Sequence, residues 1–237
     1  FGVTWWQGAF YVSTNYQAPN GRVFKVDPER KELAQWQEIV PETNAKLDDL
    51  ALVGNHLALT YLRNAASEIE VRDLAGKLVR KVALPGIGTS PGVGGNPELD
   101  EAYFSYSSFA VPNEIYKTSI KSGETSLWAK IDLPIDTSGN EVKQVWYKSK
   151  DGTPVSMFIV HRRGITLDGK NPTLLTGYGG FNVNLTPEFS SLAAVWLEYG
   201  GVYAVPNLRG GGEYGEAWHR AGMLERNHHG GVDEPLE

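Results

Sequence analysis

The stretch TLLTGYGGFN, residues 173–182, sets a tyrosine among three glycines directly after an apolar run. Glycines placed at the end of a strand let a ligand come close to the backbone. A phenol hydroxyl held there has the right chemistry for an oxyanion, because a Tyr O–H is one of the donors that stabilise negative charge as it develops. An aromatic ring packed against glycine accounts for the same residues without any chemistry. Spacing alone leaves both readings of Tyr178 open.

Other patterns compete for the role of reactive centre. GTSPG, Gly88–Gly92, matches the G-x-S-x-G form of a nucleophile elbow. The elbow needs a strand before it and a helix after it, and VGGNPELD follows instead. The residue after the serine must also donate its backbone N–H to the oxyanion, and Pro91 has none. The segment is expected to be a loop between β units. GGGEYG, Gly210–Gly215, matches the G-x-G-x-x-G dinucleotide fingerprint through Gly210, Gly212 and Gly215. No later strand supplies the acidic residue that the ribose requires, so the alternative is that these glycines let the loop pack tightly on its neighbour. Arg209, just before them, either pairs a carboxylate or braces the loop. The five histidines form no H-E-x-x-H pattern. His161, following an apolar strand, is expected at the surface, and His228-His229 in a flexible tail. No Ser-His-Asp set can be assembled around a credible elbow.

The elements that would position Tyr178 fall into two types. Three segments in the first half repeat. Each alternates apolar and polar residues and is rich in β-branched and aromatic types, which is the signature of strands. Their central strands begin at Arg22, Glu68 and Glu114, 46 residues apart in both intervals. That period fits the blade of a β-propeller. From about Glu141 the pattern changes. VKQVWYKS and VSMFIVHRR form a hairpin around Asp151-Gly152. TLLTGY follows as a strand, and then a helix with Thr186 as cap, Pro187 at its first position and Glu188 in its first turn. That helix ends at Gly200-Gly201. VYAVPNL is a second strand and EAWHRAGML a second helix. Strand, helix, strand, helix predicts a parallel α/β sheet with its ligand site at the carboxyl ends of the strands, where both glycine clusters lie.

Composition bounds these readings. In 237 residues, 41% are apolar, with seven Trp and eleven Tyr, which is enough for a packed core. The net charge of −6 and the lack of a basic run argue against a nucleic-acid partner. No apolar run reaches the length of a membrane span. With no cysteine, disulfides and thiolate metal sites are excluded. The chain opens inside an apolar pattern, FGVTWWQGAF, and three blades do not close a ring that takes about 4–8. Both features suggest a piece of something longer.

TLLTGYGGFN, LTPEF, GGVYAVPNLRGGGEYGEAWH and SKDGTPVSMFIVHRRGI together resemble the prolyl oligopeptidase family, over residues 1 to about 226. The resemblance implies blades of a seven-bladed β-propeller over residues 1–140, followed by the N-terminal part of an α/β-hydrolase domain over 141–237. It implies a serine peptidase that cleaves short peptides on the carboxyl side of proline with a Ser-Asp-His triad and no cofactor. It further implies a cytoplasmic monomer whose partners are short proline-containing peptides, not nucleic acid or membrane. In the family, the tyrosine of G-Y-G-G donates to the oxyanion beside a backbone N–H, and Tyr178 matches it. Phe181 matches a residue lining the proline pocket, and Gly179 and Gly180 let the peptide come close. Two departures stand out. The family usually has Tyr where this chain has Thr176, a difference of local packing. After AGML the residues ERNHHGGVDEPLE, with the tail 225–237, show no likeness to the family's next helix, and the triad lies beyond them, so the chain is expected to be inactive alone. A non-catalytic propeller-containing binding module and a dinucleotide-binding oxidoreductase are the alternatives.

Overall fold

The structure is a computed structural model, and it describes residues 1–223. Twelve strands build three antiparallel four-stranded sheets in chain order. The first holds β1 (Gly2–Trp6), β2 (Ala9–Thr14), β3 (Arg22–Val26) and β4 (Gln37–Val40). The second holds β5 (Lys46–Val53), β6 (His56–Arg63), β7 (Ala66–Arg72) and β8 (Leu78–Val82). The third holds β9 (Val93–Gly95), β10 (Glu101–Tyr106), β11 (Glu114–Ser119) and β12 (Thr125–Lys130). These are the blades of a β-propeller.

Strand β6, HLALTYLR, shows how the blades stack. It is nearly continuously apolar because both of its faces are covered. Leu57, Leu59 and Tyr61 point to one side and pack with Tyr11, Val23 and Val40 of the first blade. Ala58, on the opposite face, packs with Ala102 and Phe104 of the third. Alternation along one strand thus supplies two inter-blade cores. GTSPG runs between β8 and β9 as an inter-blade loop. Ser90 is buried there, its N–H bonded to Ser67 Oγ at 3.0 Å, a setting that leaves it no access to a substrate.

The second half is a four-stranded sheet in the order β13-β14-β16-β15. The hairpin of β13 (Asn140–Lys148) and β14 (Pro154–Arg162) turns at Asp151-Gly152 as the sequence predicts. The sheet is mixed, which corrects the expectation of a parallel one. Only β15 (Thr173–Leu175) and β16 (Val202–Pro206) run parallel, and β14 meets β16 antiparallel. The strand-helix-strand order described that one crossover, and the preceding hairpin added its strands in the other sense.

Helix α1 spans Ser191–Glu198, shorter than the sequence suggests. Its cap is Ser190, whose Oγ accepts from Ala193 N at 3.3 Å, and Thr186, Pro187 and Glu188 lie in irregular chain before it. The amide of Phe189 instead donates to Ser107 Oγ of the third blade at 3.1 Å. A contact across the domain junction takes the place of an early helical turn. Helix α2 covers Glu216–Ala221.

His161 is also corrected. It is 2% exposed, on β14, which is an inner strand of the sheet. Its Nδ1 lies 2.8 Å from the Arg162 carbonyl oxygen. His228, His229 and the tail 225–237 lie outside the described residues.

The two halves are joined by apolar plugs. Ala65 and Phe109, from loops of the second and third blades, sit in one cluster with Phe158, Val160, Leu197 and Val205. The Phe109 ring lies 5.5 Å from that of Phe158 and 5.9 Å from that of Tyr203. Asn64 and Ala65 form the β6–β7 turn with φ of 50° and 59°. Two left-handed residues are what a tight hairpin needs. Alanine fits here because its methyl group is buried against the core of the second half.

Candidate active site

Strands β15 and β16 end side by side, and each releases a glycine-rich loop from its carboxyl end. The ladder runs one residue beyond β15, with Thr176 N–H donating to Ala204 O at 3.0 Å. The Thr176 side chain donates to the Tyr203 hydroxyl at 3.2 Å, so this position is satisfied within the sheet. Gly177, Tyr178, Gly179 and Gly180 follow as irregular chain, and Phe181-Asn182 form a turn.

The two loops pack backbone to backbone. A Cβ on Gly179 would lie 2.6 Å from Leu208 Cβ and 2.7 Å from the Arg209 carbonyl oxygen. A Cβ on Gly210 would lie 2.5 Å from Gly179 O, and Gly210 has a φ of 99°. Asn182 N–H donates to Gly210 O at 3.1 Å, fastening one loop to the other. Helix α2 braces them from behind. Trp218 Nε1 donates to Leu208 O at 3.1 Å, and Gly210 N–H donates to Trp218 O at 3.0 Å.

This arrangement decides between the two readings of GGGEYG. The space above Gly212 is filled by the side chains of Asn182 and Asn184. No open cradle is left for a pyrophosphate, and α2 is only 6 residues long. The glycines serve loop-to-loop packing, and a dinucleotide site is not favoured. Arg209 does pair a carboxylate. Its guanidinium forms an ion pair with Asp151 at the β13–β14 turn and donates to Ser149 Oγ at 3.1 Å. The Arg209 hydrogen bond holds the Asp151 carboxyl well below the usual carboxylate range.

Tyr178 and Phe181 stand on the outer surface of this platform, 46% and 86% exposed. The Tyr178 hydroxyl makes no hydrogen bond among the described residues. Gly180 has open space over it, with nothing within 4 Å of a built Cβ. Next to the turn, a cleft of about 450 Å³ runs along the junction with the blades, lined in part by Ser13, Asn20, Lys46, Asp48, Asn182 and Glu216. An exposed phenol, an exposed aromatic ring and uncovered glycine backbone beside a cleft can together bind an extended chain and donate to one of its carbonyl oxygens.

A buried polar group beneath the platform was not singled out from the sequence. Glu213 is 1% exposed, and Asn207 and Ser156 are buried beside it. The signal was present in GGGEYG, as a carboxylate among glycines directly after an apolar strand.

The comparisons with known proteins agree with this architecture. The sequence model of the N-terminal β-propeller domain of prolyl oligopeptidase matches residues 2–131, and that of the prolyl oligopeptidase family matches residues 187–233. The second match carries the likeness past residue 226, through most of the stretch expected to lack it. The chain is 41% identical to a prolyl endopeptidase of Elizabethkingia miricola over 216 residues, 91% of this chain. It is 39% identical to that of Elizabethkingia meningoseptica over 92% of this chain. It spans 30% and 31% of the length of these two relatives. Among solved structures, a chain from a study of two prolyl endopeptidases and their inter-domain dynamics superposes with a TM-score of 0.91 at 51% identity, covering 98% of this chain and 34% of that one. Prolyl oligopeptidase B of Galerina marginata, bound to a 25-residue macrocyclization substrate, superposes with a TM-score of 0.89 at 29% identity, over 98% of this chain and 33% of that one. With blades, mixed sheet and glycine loops in one continuous likeness, the chain belongs to the prolyl oligopeptidase family.

Proposed function

We propose that the complete protein is a serine endopeptidase that cleaves short peptides on the carboxyl side of proline. One observation carries the reading: an exposed tyrosine on a glycine platform, at the carboxyl end of a parallel strand, in a chain 41% identical to a prolyl endopeptidase over 216 residues. In this reading Tyr178 donates its hydroxyl to the oxyanion, together with a backbone N–H beside the nucleophilic serine. Phe181 offers its ring to the proline side chain. Gly180, with open space over it, gives the peptide backbone room, and Gly179, expected from the sequence to do the same, instead lets the second glycine loop close beneath it. The Ser-Asp-His triad comes from outside residues 1–237. The catalytic domain begins near residue 141, and the blades before it restrict entry to short peptides. A cytoplasmic, monomeric enzyme completes the proposal, open to fractionation and sedimentation.

The test is kinetic, on the complete protein with a proline-containing peptide. Tyr178→Phe keeps the ring and removes only the donor. Loss of one oxyanion donor costs about 2.7–4 kcal/mol, roughly a hundredfold to a thousandfold in rate. The loss should fall on kcat more than on KM, because the oxyanion exists only around the tetrahedral state. Phe181→Ala should instead raise KM and reduce the preference for proline. An unmutated protein that leaves the peptide intact would refute the activity. A Tyr178→Phe enzyme with unchanged kcat would refute the role of the tyrosine.

A further inference from the structure

Glu213 has no part in the chemistry above, yet it is one of the most completely buried charged residues of the described chain. Its Oε1 accepts the backbone N–H of Leu185 at 2.7 Å. The carbonyl of the same Leu185 accepts from Asn207 Nδ2, also at 2.7 Å. Asn207 is in turn held by β14, where Ser156 Oγ donates to Asn207 Oδ1 at 2.8 Å. Ser156 Oγ also shares a 2.5 Å hydrogen bond with the Tyr214 hydroxyl. Both polar groups of one backbone residue are therefore gripped by buried side chains, one of them tied to β14 through Ser156.

What the grip holds is the turn ahead of it. Phe181 and Asn182 have φ of 53° and 59°, consecutive left-handed residues that are not glycine. Such a conformation persists only where its surroundings impose it. At its start the turn leans on Gly210, through Gly179 and through the Asn182 N–H. At its end the chain is fastened at Leu185. From this geometry we propose that Glu213 is a positioning residue, whose side chain clamps residues 182–185 onto the second glycine loop and so holds Phe181 and Tyr178 in place for the peptide. The peptide part of the proposal rests on the function proposed above.

The clamp needs only one oxygen of the carboxyl, Oε1, which accepts the Leu185 N–H. Oε2 is buried without a hydrogen-bond partner. Burial, the largest influence, pushes the Glu213 carboxyl up, against hydrogen bonds from Leu185, its own backbone and Asn207 and the charge of Lys46 on β5, all of which pull it down. Lys46 is itself engaged by Asp48 at 3.6 Å. The clamping contact at Oε1 requires an acceptor oxygen at that reach, which a glutamine amide also offers. Glutamine should therefore keep the clamp, while alanine and the shorter aspartate should release it.

The experiment uses the full-length protein in two readouts. Hydrogen exchange of peptides covering residues 180–190 reports the clamp, and hydrolysis of matched proline and alanine peptides reports the site. In E213A, exchange at 182–186 should speed up by roughly tenfold to a hundredfold, as expected for the loss of a buried hydrogen bond. The kcat/KM for the proline peptide should fall by about tenfold or more through misplacement of the two aromatic residues, with a reduced preference for proline. E213Q should restore both readouts. If E213A does not fold, E213D takes its place with the same expectation. Wild-type exchange in a folded E213A or E213D would overturn the proposal, as would damage in E213Q equal to that in E213A. Faster exchange with unchanged kinetics would also overturn it, leaving Glu213 a packing residue. A wild-type protein that cleaves no proline peptide would sink the functional reading instead, and the exchange comparison would still decide the clamp.

Discussion

Gly179→Ala and Gly180→Ala are the same substitution at adjacent positions, and the structure assigns them opposite outcomes. At 179 the new methyl would lie 2.6 Å from Leu208 Cβ and 2.7 Å from the Arg209 carbonyl oxygen. Carbon atoms rest about 3.5–4.0 Å apart, so one loop must back away by roughly an ångström. Neither is free to do so. The Leu208 carbonyl is bonded to Trp218 Nε1, and Gly210 is bonded through both its N–H and its carbonyl. At 180 the methyl meets nothing within 4 Å, and the backbone is outside the left-handed region. Overpacking costs about 1–3 kcal/mol. In a chain of this size that lowers the melting midpoint by roughly 2–12 °C. Gly180→Ala should change stability by less than about 0.5 kcal/mol, tilted toward stabilisation because alanine reduces the freedom of the unfolded chain. Thermal unfolding of the chain followed by tryptophan fluorescence makes the comparison, with Trp218 reporting on the loop itself. If Gly179→Ala melts with the wild type, or Gly180→Ala is the more damaging, the two glycine loops do not approach each other as described.

Two further outcomes probe the frame around the site. Phe109→Ala empties the plug between the third blade and the hydrolase core, and should cost about 3–5 kcal/mol in a denaturant titration, whereas exposed Leu192→Ala should cost almost nothing; equal midpoints for the two would mean the plug is not packed. Asp151 has its carboxyl lowered by Arg209, so the contribution of this pair is present above the ordinary Asp value of ~3.9 and is lost as pH falls through the lower folded value. Asp151→Asn should flatten the acid limb of stability slightly, the effect being small because Asp151 is half exposed, and an unchanged acid limb would exclude the pair.

Much of this fold is written locally, and its misreadings share one physical cause. The 46-residue period of the blades, the Asp151-Gly152 hairpin and the two glycine loops all follow from neighbours in sequence, where alternation and turn chemistry operate. The start of α1 does not. Thr186-Pro187-Glu188 is a sound local start signal, but the Phe189 amide is taken by Ser107, 82 residues earlier in the chain. His161 follows the same logic, since a strand ending in His-Arg-Arg looks solvent-bound until the fold buries it beside Glu141 of β13. Glu213 was hidden for a related reason: its partner Leu185 is 28 residues away, and only the folded chain brings them together.

These nonlocal contacts converge on the candidate site, and that carries a consequence for how it is built. Tyr178 and Phe181 touch little themselves, so their positions are set by what lies beneath them. Their support has two layers of different chemistry. The upper layer is glycine against glycine, where the close approach of Gly179 and Gly210 tolerates no side chain. The lower layer is polar, where Glu213 and Asn207 hold Leu185 from both sides. A glycine platform alone would be pliable, because glycine resists bending least. The buried carboxyl and amide supply the rigidity that the glycines give up, and they do so from positions no peptide can reach. A loop that must be bare enough to admit a backbone, yet stiff enough to aim a hydroxyl, needs both layers.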